Sequence, residues 1–184
     1  MGGAVAFQIQ QRFPKLFRGV VFVSPMCKIQ EEMLPPQWVI DTLRWLIGPS
    51  GSNSLLGYLP LAPTQDLADV THKLEEKKLL YSRNPLSFCR NPRLATAREL
   101  IRMTQVISND LASFDASFLV VHGKEDRVTD PALSQALYDE SPSSDKTIKL
   151  YDGMWHGLTC SEPDENIARV FAVASKWILE RACT

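Results

Sequence analysis

With 184 residues, of which 45% are hydrophobic and 22% charged, the chain has the composition of one globular domain with a real core, which excludes a disordered protein. A formal net charge of -1, without any run of five Lys or Arg residues, gives no reason to expect a nucleic-acid partner. No apolar stretch approaches the roughly 18 residues of a membrane span. No signal peptide is visible, and the 4 cysteines form no Cys-x-x-Cys motif, so we expect a reducing, cytoplasmic location.

The first predicted elements are a helix and a buried strand. The helix runs from Ala4 to Phe13 and ends at Pro14, and the strand is the apolar run from Gly19 to Ser24. A strand without alternating polar residues is typical of a sheet that is covered on both faces. This opening therefore favours an α/β fold.

The middle of the chain, from about Gln30 to Asp110, has a different pattern. Helical segments are interrupted there by proline- and glycine-rich turns, and no strand alternation is seen. Within this region the segment from Trp38 to Ile47 is apolar on most of its circumference, more than a simple surface helix requires. We expect this helix either to cover an apolar surface or to be covered itself.

The last third of the chain returns to the α/β pattern. It is predicted to contain a strand, a helix, a strand and a helix, with right-handed parallel pairing of the two strands. The strands are Phe118 to His122 and Thr147 to Tyr151; one helix is capped by Asp130 and runs to about Tyr138, and the other opens at Glu162.

Two chemically reactive residues, Asp126 and His156, each follow one of these strands. Because reactive groups in open α/β sheets collect at the carboxyl ends of strands, we expect the two side chains to meet there. A carboxylate that holds one imidazole nitrogen orients the ring and stabilises it when the other nitrogen takes a nucleophile's proton. Acid before base is the order found in Ser, Asp, His hydrolases, but no Gly-x-Ser-x-Gly motif precedes this pair.

Both residues of this pair, and the polar residues around them, could also have purely structural roles. An aspartate in such a loop can simply satisfy backbone N–H groups, and His-Gly pairs occur in many loops. Asp130 is the poorer candidate for the acid because its position before a proline already explains it as a helix cap. His122 and His72 are expected to be structural or exposed. Ser24 is a poor substitute nucleophile because the segment around it lacks the glycines of a sharp elbow.

Four segments together resemble a known family, namely Met1–Ala6, Val23–Ile29, His122–Pro131 and Trp155–Gly157. They are similar to those of plant monoacylglycerol lipase-like proteins, a group that includes the caffeoylshikimate esterases and belongs to the α/β-hydrolase superfamily. The resemblance covers essentially the whole chain. It implies a truncated α/β-hydrolase fold, with parallel strands and flanking helices in the C-terminal part of the core at 1–29 and 111–184, and a helical cap at 30–110.

The same resemblance implies roles for individual residues. Asp126 matches the family's triad acid and His156 its base. Met1 matches the residue whose backbone N–H completes half of the oxyanion hole, which would place the nucleophilic serine immediately before it. The cap would cover an acyl or aryl pocket with Trp38, Trp45, Leu46 and Ile47, and it could also contact a bilayer surface.

Three hypotheses follow for function. The first is the C-terminal part of a serine ester hydrolase that acts on acylglycerols, lysophospholipids or phenolic esters, inactive as written because the nucleophile is absent. The second is a catalytically dead binding module that uses the pocket or the bare sheet edge around Val21. The third is an enzyme with another nucleophile, such as Cys27. No cofactor or metal is expected, since the 3 histidines lie in unrelated segments.

Overall fold

The computed structural model describes residues 1–26, 36–47, 55–62, 67–86 and 91–182. The strands in these ranges are β1 (Val20–Val23), β2 (Phe118–Gly123) and β3 (Lys146–Tyr151). The helices are α1 (Gly2–Arg12), α2 (Gln37–Ile47), α3 (Leu67–Thr71), α4 (Glu75–Arg83), α5 (Leu94–Asp110), α6 (Pro131–Glu140) and α7 (Asp164–Ala182), with short 3₁₀ turns at Leu55–Tyr58 and Leu111–Ser113.

The three strands form one parallel sheet in the order β1-β2-β3. Val21 pairs with Leu119 in one ladder, and Val120 pairs with Ile148 in the other. All six residues of the central strand β2 are buried, whereas β1 pairs only with β2 among the described residues. The predicted parallel pairing is therefore confirmed, and the expected sheet edge lies at β1.

Alternation along β2 divides the core between the two faces of the sheet. Phe118 and Val120 join a cluster with α1 and α5 whose aromatic rings are those of Phe7, Phe22, Phe114 and Phe118. Leu119 and Val121 face the opposite cluster, where α7 contributes Val170 and Trp177. Both faces are apolar because both are covered, which explains why the strand sequences show no polar alternation.

The regular secondary structure that is described between β1 and β2 is entirely helical. Its helix α4 buries no residue, and a small cluster around Ala62 and Leu94 is separate from the main core. The end of α5 is different, because Ile107 is fully buried in the cluster beneath the sheet. This helix therefore connects the predicted cap to the core. None of the described helices is long and apolar enough to cross a membrane.

Candidate functional site

The loops that follow β2 and β3 are bonded to each other at the carboxyl end of the sheet. The backbone N–H of Lys124 donates to the carbonyl of Tyr151 at 2.9 Å, and that of Glu125 donates to the carbonyl of Met154 at 3.2 Å. Gly123 permits this approach, because a Cβ there would collide with the backbone carbonyl of Met154. Two loops that are distant in sequence thus form one rigid platform.

Asp126 lies on this platform with only 3% of its surface exposed. Its Oδ1 accepts the backbone N–H groups of Val128 at 2.7 Å and Thr129 at 3.0 Å. These two bonds prevent the carboxylate from rotating freely, so that Oδ2 is presented in one direction. The expectation that this aspartate satisfies backbone groups is correct, but it describes only one of the two oxygens.

The other oxygen of Asp126 contacts His156, as the sequence predicts. The distance from His156 Nδ1 to Asp126 Oδ2 is 2.7 Å, and the imidazole side chain is 26% exposed. The histidine loop is held in turn by Glu162, a fully buried carboxylate that accepts the backbone N–H of Trp155 at 2.7 Å. A buried aspartate and a partly exposed histidine therefore stand in hydrogen-bond contact in the loops that follow two adjacent strands.

His122 also binds this carboxylate, and sequence reasoning missed the contact. Its ring is fully buried, with Nε2 at 2.9 Å from Asp126 Oδ2 and Nδ1 at 2.6 Å from the hydroxyl of Ser134. The Thr129 hydroxyl donates to the same Oδ2 at 2.9 Å. The only sequence signal was a polar residue that ends an entirely apolar strand, since a buried imidazole requires partners.

These contacts decide the charge of the carboxyl group. Burial by itself would raise the pKa of Asp126, but hydrogen bonds from His122 and His156, attraction to a charged His156 and the Thr129 backbone N–H together lower it well below its ordinary value. Asp126 is therefore ionised throughout the neutral range. An ionised acid is what a paired imidazole needs in order to accept a proton on its far nitrogen.

The remaining candidates take other roles. Asp130 caps α6, its Oδ1 accepting the N–H of Ala132 at 2.8 Å, as predicted. His72 contacts the hydroxyl of Thr71 at 2.8 Å and packs against a tyrosine ring. Ser24 is buried with a positive φ of 41°, and its hydroxyl finds no hydrogen-bond partner within the described ranges. Cys27 lies outside the described residues.

The structure places Met1 beside an apolar cavity. Its carbonyl accepts the N–H of Ala4 at 3.0 Å at the start of α1. The adjoining cavity has a volume of about 370 Å³ and lies between α1 and α5, with the lining residues Met1, Val5, Ala95, Thr96, Glu99, Leu100 and Met103. The oxyanion role of Met1 stays a prediction, but an apolar space does adjoin this residue.

The predicted pocket residues of α2 are less well defined. Trp38 is 70% exposed and Trp45 is 81% exposed, so neither indole is covered by the described parts of the chain. The side chains of Leu46 and Ile47 lie outside the described residues. Covering a pocket and contacting a bilayer both stay predictions for this helix. Among the side chains that the structure describes, no group of three or more His, Cys, Asp or Glu could hold a metal ion.

Known proteins are similar to this chain in sequence and in fold. Caffeoylshikimate esterase of Arabidopsis thaliana is 32% identical over 182 residues, which is 98% of this chain and 53% of the relative. Human monoglyceride lipase is 26% identical over 100% of this chain and 57% of the relative. The crystal structure of Paleococcus ferrophilus monoacylglycerol lipase superposes with a TM-score of 0.80 at 19% identity, covering 97% of this chain and 65% of that one.

The chain thus spans little more than half the length of these curated relatives. The fold similarity confirms the α/β-hydrolase architecture predicted from the sequence, with three parallel strands and their flanking helices representing part of it. The model of the family described as serine aminopeptidase, S33, matches residues 1–164, which is most of the chain. This protein therefore belongs to the serine aminopeptidase S33 family of α/β hydrolases.

Proposed function

We propose that this chain carries the acid and base of a serine ester hydrolase, with Asp126 as the acid and His156 as the base. The observation that carries the proposal is the 2.7 Å contact between Asp126 Oδ2 and His156 Nδ1 at the carboxyl ends of adjacent parallel strands. Burial of the acid and partial exposure of the base support this division of roles, because only the base has to reach the reacting groups.

In this reaction His156 accepts and releases one proton in each of the two half-reactions, acylation and deacylation. Its Nε2 takes the proton of a serine hydroxyl while the serine oxygen attacks the ester carbonyl, and the same nitrogen then protonates the departing alcohol. Water next attacks the acyl-enzyme, giving its proton to Nε2, and the serine leaves with that proton as the acid product is released. Throughout, Asp126 holds Nδ1–H and stabilises the imidazolium without itself becoming protonated.

The proposed substrates are carboxylic esters with an apolar acyl or aryl group. Relatives of this chain bear the names caffeoylshikimate esterase and monoglyceride lipase, which are both ester hydrolases. The apolar cavity between α1 and α5 supports the same class, since it adjoins Met1, the residue proposed to stand at the oxyanion hole. Selection between acylglycerols and phenolic esters depends on the part of the relatives that this chain does not span.

We further propose that the 184-residue polypeptide alone hydrolyses no ester, because it contains no Gly-x-Ser-x-Gly segment. Loss of the serine alone from a protease triad lowers turnover by about a million-fold. The first test is therefore a pair of assays on this polypeptide, one with a chromogenic short-chain ester and one with a serine-reactive fluorophosphonate probe. We expect neither turnover nor labelling.

The decisive test supplies a segment of a relative that this chain does not span. The segment of Arabidopsis caffeoylshikimate esterase that precedes the region matched here, which we expect to carry a nucleophilic serine, is joined ahead of Met1, and ester hydrolysis is measured. We expect activity in the fusion and a loss of about 10⁴-fold in Asp126→Asn, as for a triad acid whose geometry is kept. Asp130→Asn is the matched control, because it changes an aspartate in the same loop that caps a helix instead of touching His156.

A folded fusion that binds ester without hydrolysing it would contradict the proposal and favour the catalytically dead binding module. So would equal activity of the two asparagine variants. Hydrolysis or probe labelling by the 184-residue polypeptide itself would contradict the statement that it lacks a nucleophile, and replacement of Cys27 by serine or alanine would then test that thiol directly.

A further inference from the structure

One acid serves two imidazole rings in this site, and the proposed reaction uses only one of them. Oδ2 of Asp126 lies 2.7 Å from His156 Nδ1 and 2.9 Å from His122 Nε2. A hydrolase acid needs a single histidine, so a second ring on the same oxygen requires its own explanation.

The second ring is enclosed completely. His122 is 0% exposed at the end of the central strand, and its other nitrogen contacts Ser134, which is also 0% exposed, within α6. A neutral imidazole has one N–H donor and one acceptor nitrogen. Because the ionised Asp126 can only accept, Nε2 must carry a proton, and in a neutral ring Nδ1 then accepts the hydroxyl proton of Ser134.

The carboxylate cannot avoid this second donor by turning. Its Oδ1 is occupied by two backbone N–H groups of its own loop, at Val128 and Thr129. Both rings and the Thr129 hydroxyl must therefore share Oδ2. The direction in which that oxygen meets His156 depends on how firmly His122 and Thr129 hold it from the other sides.

We propose that His122 is a positioning residue for the acid–base pair, orienting Asp126 toward His156, and that the Ser134 hydroxyl, by its hydrogen bond to Nδ1, holds the ring in the orientation in which His122 can do so. This role depends on the proposed function, since orienting Asp126 matters only where His156 acts as a base. Among the contacts that lower the pKa of Asp126 against the opposing effect of burial, the hydrogen bond from His122 is the largest, ahead of the one from His156.

A ring that merely filled the core would behave differently. Its replacement would change stability, but a change at Ser134 would leave the hydrogen bond of His156 as it was, because Ser134 is not among the groups that contact Asp126 or His156. A substitution at Ser134 therefore distinguishes a positioning role of His122 from a core-filling one. Ser134 can affect His156 only through the ring of His122 and the carboxylate of Asp126.

The test uses the 184-residue chain with ¹⁵N-labelled histidine and records long-range ¹H–¹⁵N spectra, which show which ring nitrogen carries the proton. In the unsubstituted chain we expect the proton of His156 on Nδ1 and that of His122 on Nε2. Ser134→Ala removes the donor to His122 Nδ1, so the Nδ1 resonance of His122 should shift, and the Nδ1 resonance of His156 should shift with it because the ring that binds Oδ2 is held less firmly.

Ser141→Ala is the matched control. Ser141 is a buried serine at the end of the same helix, and its hydroxyl donates to the Phe114 carbonyl at 2.5 Å, away from the carboxylate. Its loss removes a comparable hydrogen bond, so the His156 shift should be several times smaller than in Ser134→Ala. His122→Gln supplies a second check, because its amide keeps an N–H donor for Oδ2, whereas His122→Leu keeps none.

We expect His122→Gln to leave the Nδ1–H signal of His156 near its original position and His122→Leu to displace it. If the leucine variant does not fold, the comparison of Ser134→Ala with Ser141→Ala still tests the positioning role. The positioning role is overturned if Ser134→Ala shifts the Nδ1 resonance of His156 no more than Ser141→Ala does. A His156 that carries its proton on Nε2 in the unsubstituted chain would instead contradict the acid–base pair, and with it the proposed function.

Discussion

The sheet and the helical region inserted between β1 and β2 use apolar residues in opposite ways. Every residue of β2 is buried, and its apolar side chains fill clusters on both faces of the sheet. Helix α4 buries none of its residues, and Leu86, close after it, is 91% exposed. Asp126 and His156 belong to the first region, whereas part of the cavity proposed for substrate is lined by helix α5 of the second.

Because of this difference, we expect the loops that hold Asp126 and His156 to be more stable than the helical region that lines part of the cavity. The proposed acid and base, Asp126 and His156, stand on a platform that is held by backbone hydrogen bonds and close packing, so their geometry should tolerate little change. The helical region buries less and should therefore tolerate substitution well. Substitutions in this region can then alter the lining of the apolar cavity without disturbing Asp126 and His156.

The largest expected effect is on packing. Phe118→Ala removes a fully buried ring from the aromatic cluster and should lower the free energy of unfolding by about 3–5 kcal/mol. Leu86→Ala, at a side chain that is 91% exposed, should change it by less than about 0.5 kcal/mol. Urea unfolding of both variants measures the contrast, and similar losses for the two would mean that the helical region is as well packed as the sheet.

The next effect concerns the platform. Gly123→Ala forces a Cβ onto the Met154 carbonyl, which belongs to the backbone and cannot move aside, so we expect a loss of about 1–3 kcal/mol in unfolding free energy. Gly2→Ala is the control, because nothing lies within 4 Å of a Cβ at that helical position. It should be neutral or stabilising by up to about 1 kcal/mol. Thermal unfolding distinguishes them, and a neutral Gly123→Ala would show that the two loops can separate.

The smallest effect is a difference in pH dependence between two carboxylates. Burial raises the pKa of Asp126, but its histidine contacts outweigh burial and lower it. Hydrogen bonds from Arg98 and Arg102 lower the pKa of Glu99, whose side chain is 42% exposed. A carboxyl with a lowered folded pKa stabilises the fold above its unfolded pKa, about 4, and loses that contribution as pH falls toward the folded value.

Urea unfolding between about pH 5 and pH 2 should therefore become less sensitive to pH in Asp126→Asn. Glu99→Gln should follow the unsubstituted chain closely, since solvent screens an exposed pair. If the two variants respond alike, the charge of Asp126 is not held by its buried partners as the structure indicates.

Much of the fold is accessible from the sequence because the physical signals are local. The apolar runs at β1 and β2 and the Asp130 cap of α6 each depend on neighbouring residues, and all are confirmed, with ends that differ by only a few residues. The meeting of Asp126 with His156 follows from strand order, since parallel strands present their carboxyl ends together.

Sequence reasoning misses features that depend on the orientation of side chains and on contacts between distant elements. The sequence predicts a structural or exposed His122 and does not indicate Ser134 as its partner, because only the packing of α6 against β2 brings that hydroxyl to the ring. Glu162 is predicted only as a helix start, although its side chain turns back to hold the histidine loop. The exposure of Trp38 and Trp45 cannot be predicted either, since an apolar helix face gives no indication of what covers it.

Because the strands have unequal lengths, the carboxyl edge of the sheet has a step beside the candidate site. The last residue pair of β1 is Val23 with Val121, whereas β2 and β3 pair for two further residues, ending at Gly123 with Tyr151. At about 3.3 Å per residue, the sheet edge drops by roughly 7 Å toward β1. The height of that step is a matter of strand length, so side-chain substitutions should leave it unchanged. It should change only by insertion or deletion in β1, in units of two residues, because an odd number would exchange the side chains that face the two clusters.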